Sequence, residues 1–241
     1  MAVAIFAVLS VTMLAAFVLT SKVYRHSSGR DSATRELQKA ARALRRDLAL
    51  ARVEPGRFEV APMPSSLGGG FDGDAVIFVS PVDPDSKELR QKSDGSPFMM
   101  RNILYYLVAP GSHAQTFGYH CPGIPDPDGY EGGCPHKVLV RACFDGPSGK
   151  APADPAVSAS ENTLVPLAGL LLPMNGLQPP ASYEVVAVNL QTFRCRPQDG
   201  RFDEVLSACD IGEARREGKL GSSLSGTSYQ LQIDFSVYAG N

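Results

Sequence analysis

The first twenty residues, MAVAIFAVLSVTMLAAFVLT, contain no charged side chain. About twenty apolar residues wound as a helix reach across the ~30 Å hydrocarbon core of a bilayer. Residues 1–20 therefore read as a transmembrane helix, and the rest of the chain must be compatible with hanging from it. A helix that is apolar on all sides has to be buried in lipid or in other protein. The side chains expected to do this packing are Ile5, Phe6, Leu9, Met13 and Phe17. A cleaved signal peptide fits less well. The apolar run exceeds the usual ~7–15 residues, no Lys or Arg precedes it, and Ser21-Lys22-Val23 is a poor cleavage site.

Residues 21–53 form a second helical segment. The helical pattern is expected to break at Ser27-Ser28-Gly29 and resume, because glycine costs roughly 1 kcal/mol against alanine inside a helix. Beyond the break, SATRELQKAARALRRDLALARV is rich in strong helix formers. Leu37, Ala41, Leu44 and Leu48 recur at helical spacing, so one apolar stripe is expected to dock on the chain's own head. Pro55-Gly56 is expected to end the helix, near residue 53.

Charge divides between stem and head. Residues 1–52 hold nine basic against three acidic side chains, +6, so a net charge of −2 leaves −8 on the remainder. An acidic head with no basic patch argues against nucleic acid as a partner. The stem's charge reads as a solvated helix face with some attraction to lipid headgroups. Lys22, Arg25 and Arg30, just after the span, would by the positive-inside rule hold the head in the cytoplasm.

The head, residues 54–241, gives β signals. Strands are expected at 75–80 (AVIFVS), 103–108 (ILYYLV), 138–144 (VLVRACF), 183–193 (YEVVAVNLQTF) and 229–238 (YQLQIDFSVY). The last alternates apolar and polar residues, the mark of a half-buried antiparallel strand. Residues 162–174 are apolar but broken by two prolines, and their type stays open. Long loops are expected at 61–73, 81–97, 109–136, 145–160 and 194–226. The expected fold class is α+β: a long N-terminal helix, transmembrane in its first half and amphipathic in its second, packed on an antiparallel β-sheet head.

All five cysteines lie in the head, and a membrane-anchored, Pro/Gly-rich β domain suggests an oxidising compartment. Cys121 with Cys134, and Cys195 with Cys209, are the disulfide candidates; each would close a loop of roughly 14 residues. Cys143, in an apolar run, reads as a core thiol. A Cys₃His zinc site from Cys121, Cys134, Cys143 and His136 is the weaker alternative. Asp126, Asp128 and Glu131 share one turn and offer hard oxygen ligands for calcium, although their spacing does not match the twelve-residue calcium loop. Asp83, Asp85 and Glu88 form a similar cluster. No zinc-protease or phosphate-loop motif is present, and Gly221–Gly226 (GSSLSG) lacks the second glycine of a nucleophile elbow. No catalytic residue and no cofactor is expected.

The stem, Ala2-Val3-Ala4-Ile5-Phe6-Ala7-Val8-Leu9-Ser10 followed by a Leu/Ala-rich span and the Arg35–Ala49 helix, resembles the N-terminal stem of type IV pilin-like proteins. It is most similar to the J-type minor pseudopilin of type II secretion and the W-type minor pilin of type IV pili. Leu44-Arg45-Arg46-Asp47-Leu48 fits the L-x-R-D-L of those subfamilies. In the head, Val186 to Arg196 followed by Asp199-Gly200, and the alternating last strand, also fit. The resemblance implies a basic leader, a cleavage site and a glutamate upstream of Met1, so a start before Met1 is expected. Such a leader would resolve the charge conflict at the span. The resemblance further implies a minor structural subunit, not an enzyme, held in the inner membrane with an extracytoplasmic head. It would then enter a filament at or near the tip, with other pilin or pseudopilin subunits as partners. The alternative is a membrane-anchored extracytoplasmic binding or adhesion domain that forms no filament. A tethered hydrolase or metal protein is a third reading that no motif supports.

Overall fold

The helix does not break at Ser27-Ser28-Gly29. In the computed structural model a single helix, α1 (Ala2–Leu48), runs through all three residues. Their combined propensity cost is small, and strong helix formers on both sides carry the backbone across. Helix α1 also ends earlier than expected, at Leu48. Its last turn tightens as Leu50 N–H bonds to Asp47 O at 3.3 Å and Ala51 N–H to Leu48 O at 3.1 Å. Arg45 and Arg46 in that turn complement the negative end of the helix dipole. The structure describes residues 2–51, 56–65, 68–83, 86, 88–110, 124–131, 134, 137–144, 161–167, 182–197, 205–215 and 227–237.

Seven strands follow: β1 (Phe58–Pro64), β2 (Phe71–Ser80), β3 (Arg101–Val108), β4 (Lys137–Phe144), β5 (Ser182–Pro197), β6 (Val205–Arg215) and β7 (Thr227–Val237). They form one sheet in sequence order, antiparallel at every step. The architecture is thus α+β. Several expected boundaries move. The second half of β1 and the start of β2 fall in the loop expected at 61–73. Pro62 and Pro64 disguise β1, but prolines are tolerated on an edge strand, which is where β1 lies. The end of β5 and all of β6 fall within the loop expected at 194–226. β6 (VLSACDIGEAR) carries Ala and Gly, which read poorly as strand, yet it is held by a ladder on each side.

The continuous apolar runs of β2, β3 and β4 have a cause: the sheet is covered on both faces. Alternation sends Val76, Phe78, Ile103, Tyr105, Leu107, Leu139 and Cys143 to the face that α1 covers. Ala75, Ile77, Leu104, Ala142 and Phe144 line the other face. An irregular strap, residues 161–167, lies over that second face and inserts Leu167. Asn102 stitches it down, donating from Nδ2 to Thr163 O at 3.1 Å and accepting from Val165 N–H at 3.0 Å. Asn162 donates to Met100 O. Glu161 is clamped by Arg57 at 3.1 Å and Lys92 at 2.8 Å. Residues 168–174, the remainder of the apolar segment left open by sequence, lie outside the described residues.

Candidate docking and assembly surface

Helix α1 has two halves with opposite surroundings. Ile5–Tyr24 is long and apolar enough to cross a membrane, and none of it is buried against the head. Leu9 is 56% and Phe17 71% exposed, and Ile5, Phe6 and Met13 are likewise bare. Its few hydroxyls do not look outward for partners. Ser10 donates to Phe6 O at 2.9 Å, Thr12 to Leu9 O at 2.9 Å, Thr20 to Ala16 O at 2.8 Å and Ser21 to Val18 O at 3.3 Å. Back-bonding of this kind lets a polar side chain sit in a surface that meets no water. Fully burying five such large apolar side chains is worth on the order of 10 kcal/mol, at ~1.5–3 kcal/mol each.

The second half docks. Leu37, Ala41, Leu44 and Leu48 all enter the principal core, together with Ala40 and Ala51, which extend the same stripe. They pack against Phe58, Leu190 and Phe193 among others. Within this apolar face stands Asp47, also buried. Its Oδ2 accepts from Tyr105 Oη at 2.8 Å and from Arg141 Nε at 2.5 Å, while Oδ1 accepts from Arg46 Nε at 2.8 Å. Tyr105 lies on β3 and Arg141 on β4, opposite one another in the ladder. One helix carboxylate thereby bolts the stem to the two central strands. Burial pushes the Asp47 carboxyl up, but the Arg46 hydrogen bond, the Arg141 charge and the remaining hydrogen bonds outweigh it and hold the group below its ordinary value. Burial and the Asp47 charge push the Tyr105 hydroxyl up. Burial disfavours the Arg141 charge, but Asp47 reverses that and raises its pKa. Farther up the helix, Glu36 accepts from Val188 N–H of β5 at 3.1 Å.

A second polar cluster pins loop 124–131 to the sheet. Arg194 reaches Asp126 at 2.5 Å and Asp128 at 3.1 Å and lies 4.2 Å over the Tyr130 ring. Tyr130 donates to Asp74 Oδ1 at 2.7 Å, and Cys195 N–H donates to Asp74 Oδ2 at 2.6 Å. Lys137, fully buried, meets Glu131 Oε2 at 3.1 Å and donates to the carbonyls of Asp72 and Glu131. Each of the three calcium candidates has a basic side-chain partner here. Asp126 and Asp128 are forked by a guanidinium, Glu131 turns to an ammonium, and the three do not converge. Among the described residues no group of three or more His, Cys, Asp or Glu is placed to hold a metal.

Of the four zinc candidates, two are described. Cys134 precedes β4 and Cys143 sits near its far end, with Cys121 and His136 outside the described residues. Cys143 is a buried free thiol that accepts from Arg141 Nη1 at 3.4 Å. Cys195 and Cys209 are register partners across β5 and β6; for Cys209 only the backbone is described. Asp85, Asp199-Gly200 and Gly221–Gly226 also lie outside the described residues, as do His113 and His120.

The Asp47–Tyr105–Arg141 node is the feature that sequence reasoning missed. Its signals were present: an acid inside the apolar stripe of the stem, and an arginine at a core position of VLVRACF. Each is an error of patterning unless the other answers it. No family model matches this chain, and neither a curated protein nor a solved structure matches it.

Proposed function

We propose that this chain is a minor structural subunit of a pilin-like filament, of the type IV pilus or type II secretion kind. Its span waits in the inner membrane and then packs among the equivalent helices of other subunits, at or near the filament tip. The reading rests on one observation: a single unbroken helix bolted to a β head at one end while a largely apolar twenty-residue span, Ile5–Tyr24, projects bare from the other. Such a helix is stable only in lipid or among other helices, and the continuous stem joins the span to the head. The stem's resemblance to pilin-like proteins supports the same reading, with no catalytic role and no cofactor assigned.

The test is the mass of the N-terminus in protein purified from its native membrane. A mature chain beginning several residues upstream of Met1, with a methylated terminal Phe, is the expected result. A chain beginning at Met1 and remaining monomeric in the membrane would favour an anchored binding or adhesion domain.

A further inference from the structure

The sequence offers two disulfide candidates; the sheet singles out one of them. β5 and β6 pair so that Cys195 stands directly opposite Cys209, within an unbroken run of register from Thr192↔Gly212 to Pro197↔Ser207. Facing residues in an antiparallel ladder are of two kinds, those that exchange backbone hydrogen bonds and those that do not. The second kind brings the Cα atoms to about 4.5 Å and the side chains closest together.

Cys195 belongs to the second kind. Its N–H points away from β6 and donates to Asp74 Oδ2 of β2 at 2.6 Å. Two residues earlier, in the same phase of the strand, the backbone N and O of Phe193 also face β2. A Cβ at Gly73 would stand 2.8 Å from that carbonyl O, a collision, and 3.5 Å from the N. A separation of about 4.5 Å lies inside the ~4.4–6.8 Å that a disulfide spans. Cys195 is also buried in the principal core with the docked half of α1, where little solvent would reach a bond.

The other cysteines compete poorly. Cys143 faces Ser182 at the far end of β5 and accepts from Arg141 Nη1 at 3.4 Å, so it is no ladder partner of Cys195. Cys134 lies before β4, outside any ladder.

We propose that Cys195 and Cys209 form a cross-strand disulfide that fastens β5 to β6 within the core covered by α1. Two thiols give up two hydrogens to the disulfide of an extracytoplasmic dithiol oxidant, which leaves as its dithiol while the new S–S bond forms. The oxidant's presence rests on the extracytoplasmic reading above; the pairing rests on the register alone. The bond would clamp the hairpin whose outer strand passes the sheet on to β7.

The full chain, purified in detergent, is equilibrated across a series of reduced-to-oxidised glutathione ratios, alkylated and digested with trypsin without reduction. The fragments separate the possibilities: residues 195–201 carry Cys195, 202–215 carry Cys209, 102–137 carry both Cys121 and Cys134, and 142–150 carry Cys143. The expected result is a 195–201/202–215 linked peptide, about 2 Da lighter than the sum of its thiol forms. It should persist into buffers more reducing than the glutathione pool. Reduction should lower the melting temperature by about 5–10 °C, a drop absent from Cys195→Ala/Cys209→Ala. An unlinked pair at every ratio, or Cys195 linked to Cys134, would overturn the pairing. Trapping the thiols directly in cells reads the compartment separately: a pair reduced in cells but linked in the titration upholds the pairing and counts against the extracytoplasmic location.

Discussion

The two halves of α1 share one backbone and live by opposite rules. From Ile5 to Ser21 the helix carries no charge, its hydroxyls fold back on their own carbonyls, and none of the described residues covers it. From Leu37 to Leu48 only one face is apolar, it is buried, and a charge stands within it at Asp47, in the last turn. The lesson is that helicity alone does not say what a helix is for. The free half meets none of the described residues of the head. The docked half is complementary to one particular sheet, and its single buried carboxylate makes that complementarity chemically exacting. A greasy stripe can slip by a turn, whereas Asp47 must meet Tyr105 and Arg141.

The largest effect should come from charging the free half. Leu9→Glu places a carboxylate inside the bare segment, where it costs up to about 2.5–3.5 kcal/mol, the milder insertion-scale value for the helix centre. Assembly should be abolished while the head keeps the wild-type melting temperature. Normal assembly of Leu9→Glu, measured by co-purification with partner subunits, would remove the helix-packing role. Charge deletion in the docked half should do the reverse. Arg141→Met leaves Asp47 without its buried cation, a loss of up to about 3–5 kcal/mol and ~6–20 °C in melting temperature. Asp47→Asn with Arg141→Met should recover much of that loss, since no bare charge remains. A double variant no better than the single one would mean that packing, not charge, fixes the stem on the sheet.

Much of this contrast was legible in the sequence. Twenty uncharged residues announce a span on their own, and Leu37, Ala41, Leu44 and Leu48 announce a docking stripe, because both signals are local and periodic. The sheet was half legible. β3 reads as a strand because burial on both faces makes ILYYLV continuously apolar. β1 and β6 do not, because prolines at an edge and Ala/Gly between two neighbours are tolerated only once the ladder exists. Long-range partners were the least legible. Asp47 and Arg141 are 94 residues apart, and Arg194 reaches Asp126 across 68. A turn rich in carboxylates looks the same on paper whether a cation or an arginine answers it.

The buried node also sets a pH window for the docked half, which the free half, without a titratable group from Ile5 to Ser21, does not share. Asp47 is held below its ordinary value. Its contribution is therefore fully present above the unfolded carboxyl pKa of about 3.9 and is lost as pH falls through the lower folded value. Tyr105 is raised, so its contribution is complete below the unfolded phenol pKa of about 10 and is lost as pH climbs past it. Docking should hold between roughly pH 4 and pH 10. Asp126 and Glu161 are lowered as well, so acid melts of the wild type alone sum several groups. The wild type minus Asp47→Asn isolates the node: the stability difference should shrink below pH 4, about where the carboxyl protonates. A difference that stays flat down to pH 2 would mean Asp47 gains nothing from its ion pair.

The smallest and sharpest test lies where the two halves join. Ser27, Ser28 and Gly29 are helical, although their propensities argue for a break. Gly29→Ala removes a cost of about 0.5–1 kcal/mol from the junction without touching span or stripe. Hydrogen exchange of the amides around it should slow by about twofold to fivefold, the equivalent of that energy, while the head's melting temperature stays put. If protection rises at the junction only, the two halves are separate cooperative units joined by a weak link, and assembly can reorient the span without undocking the head. If it rises along the whole of α1, the helix is one rigid rod, and any movement of the span must be carried into the Asp47 node.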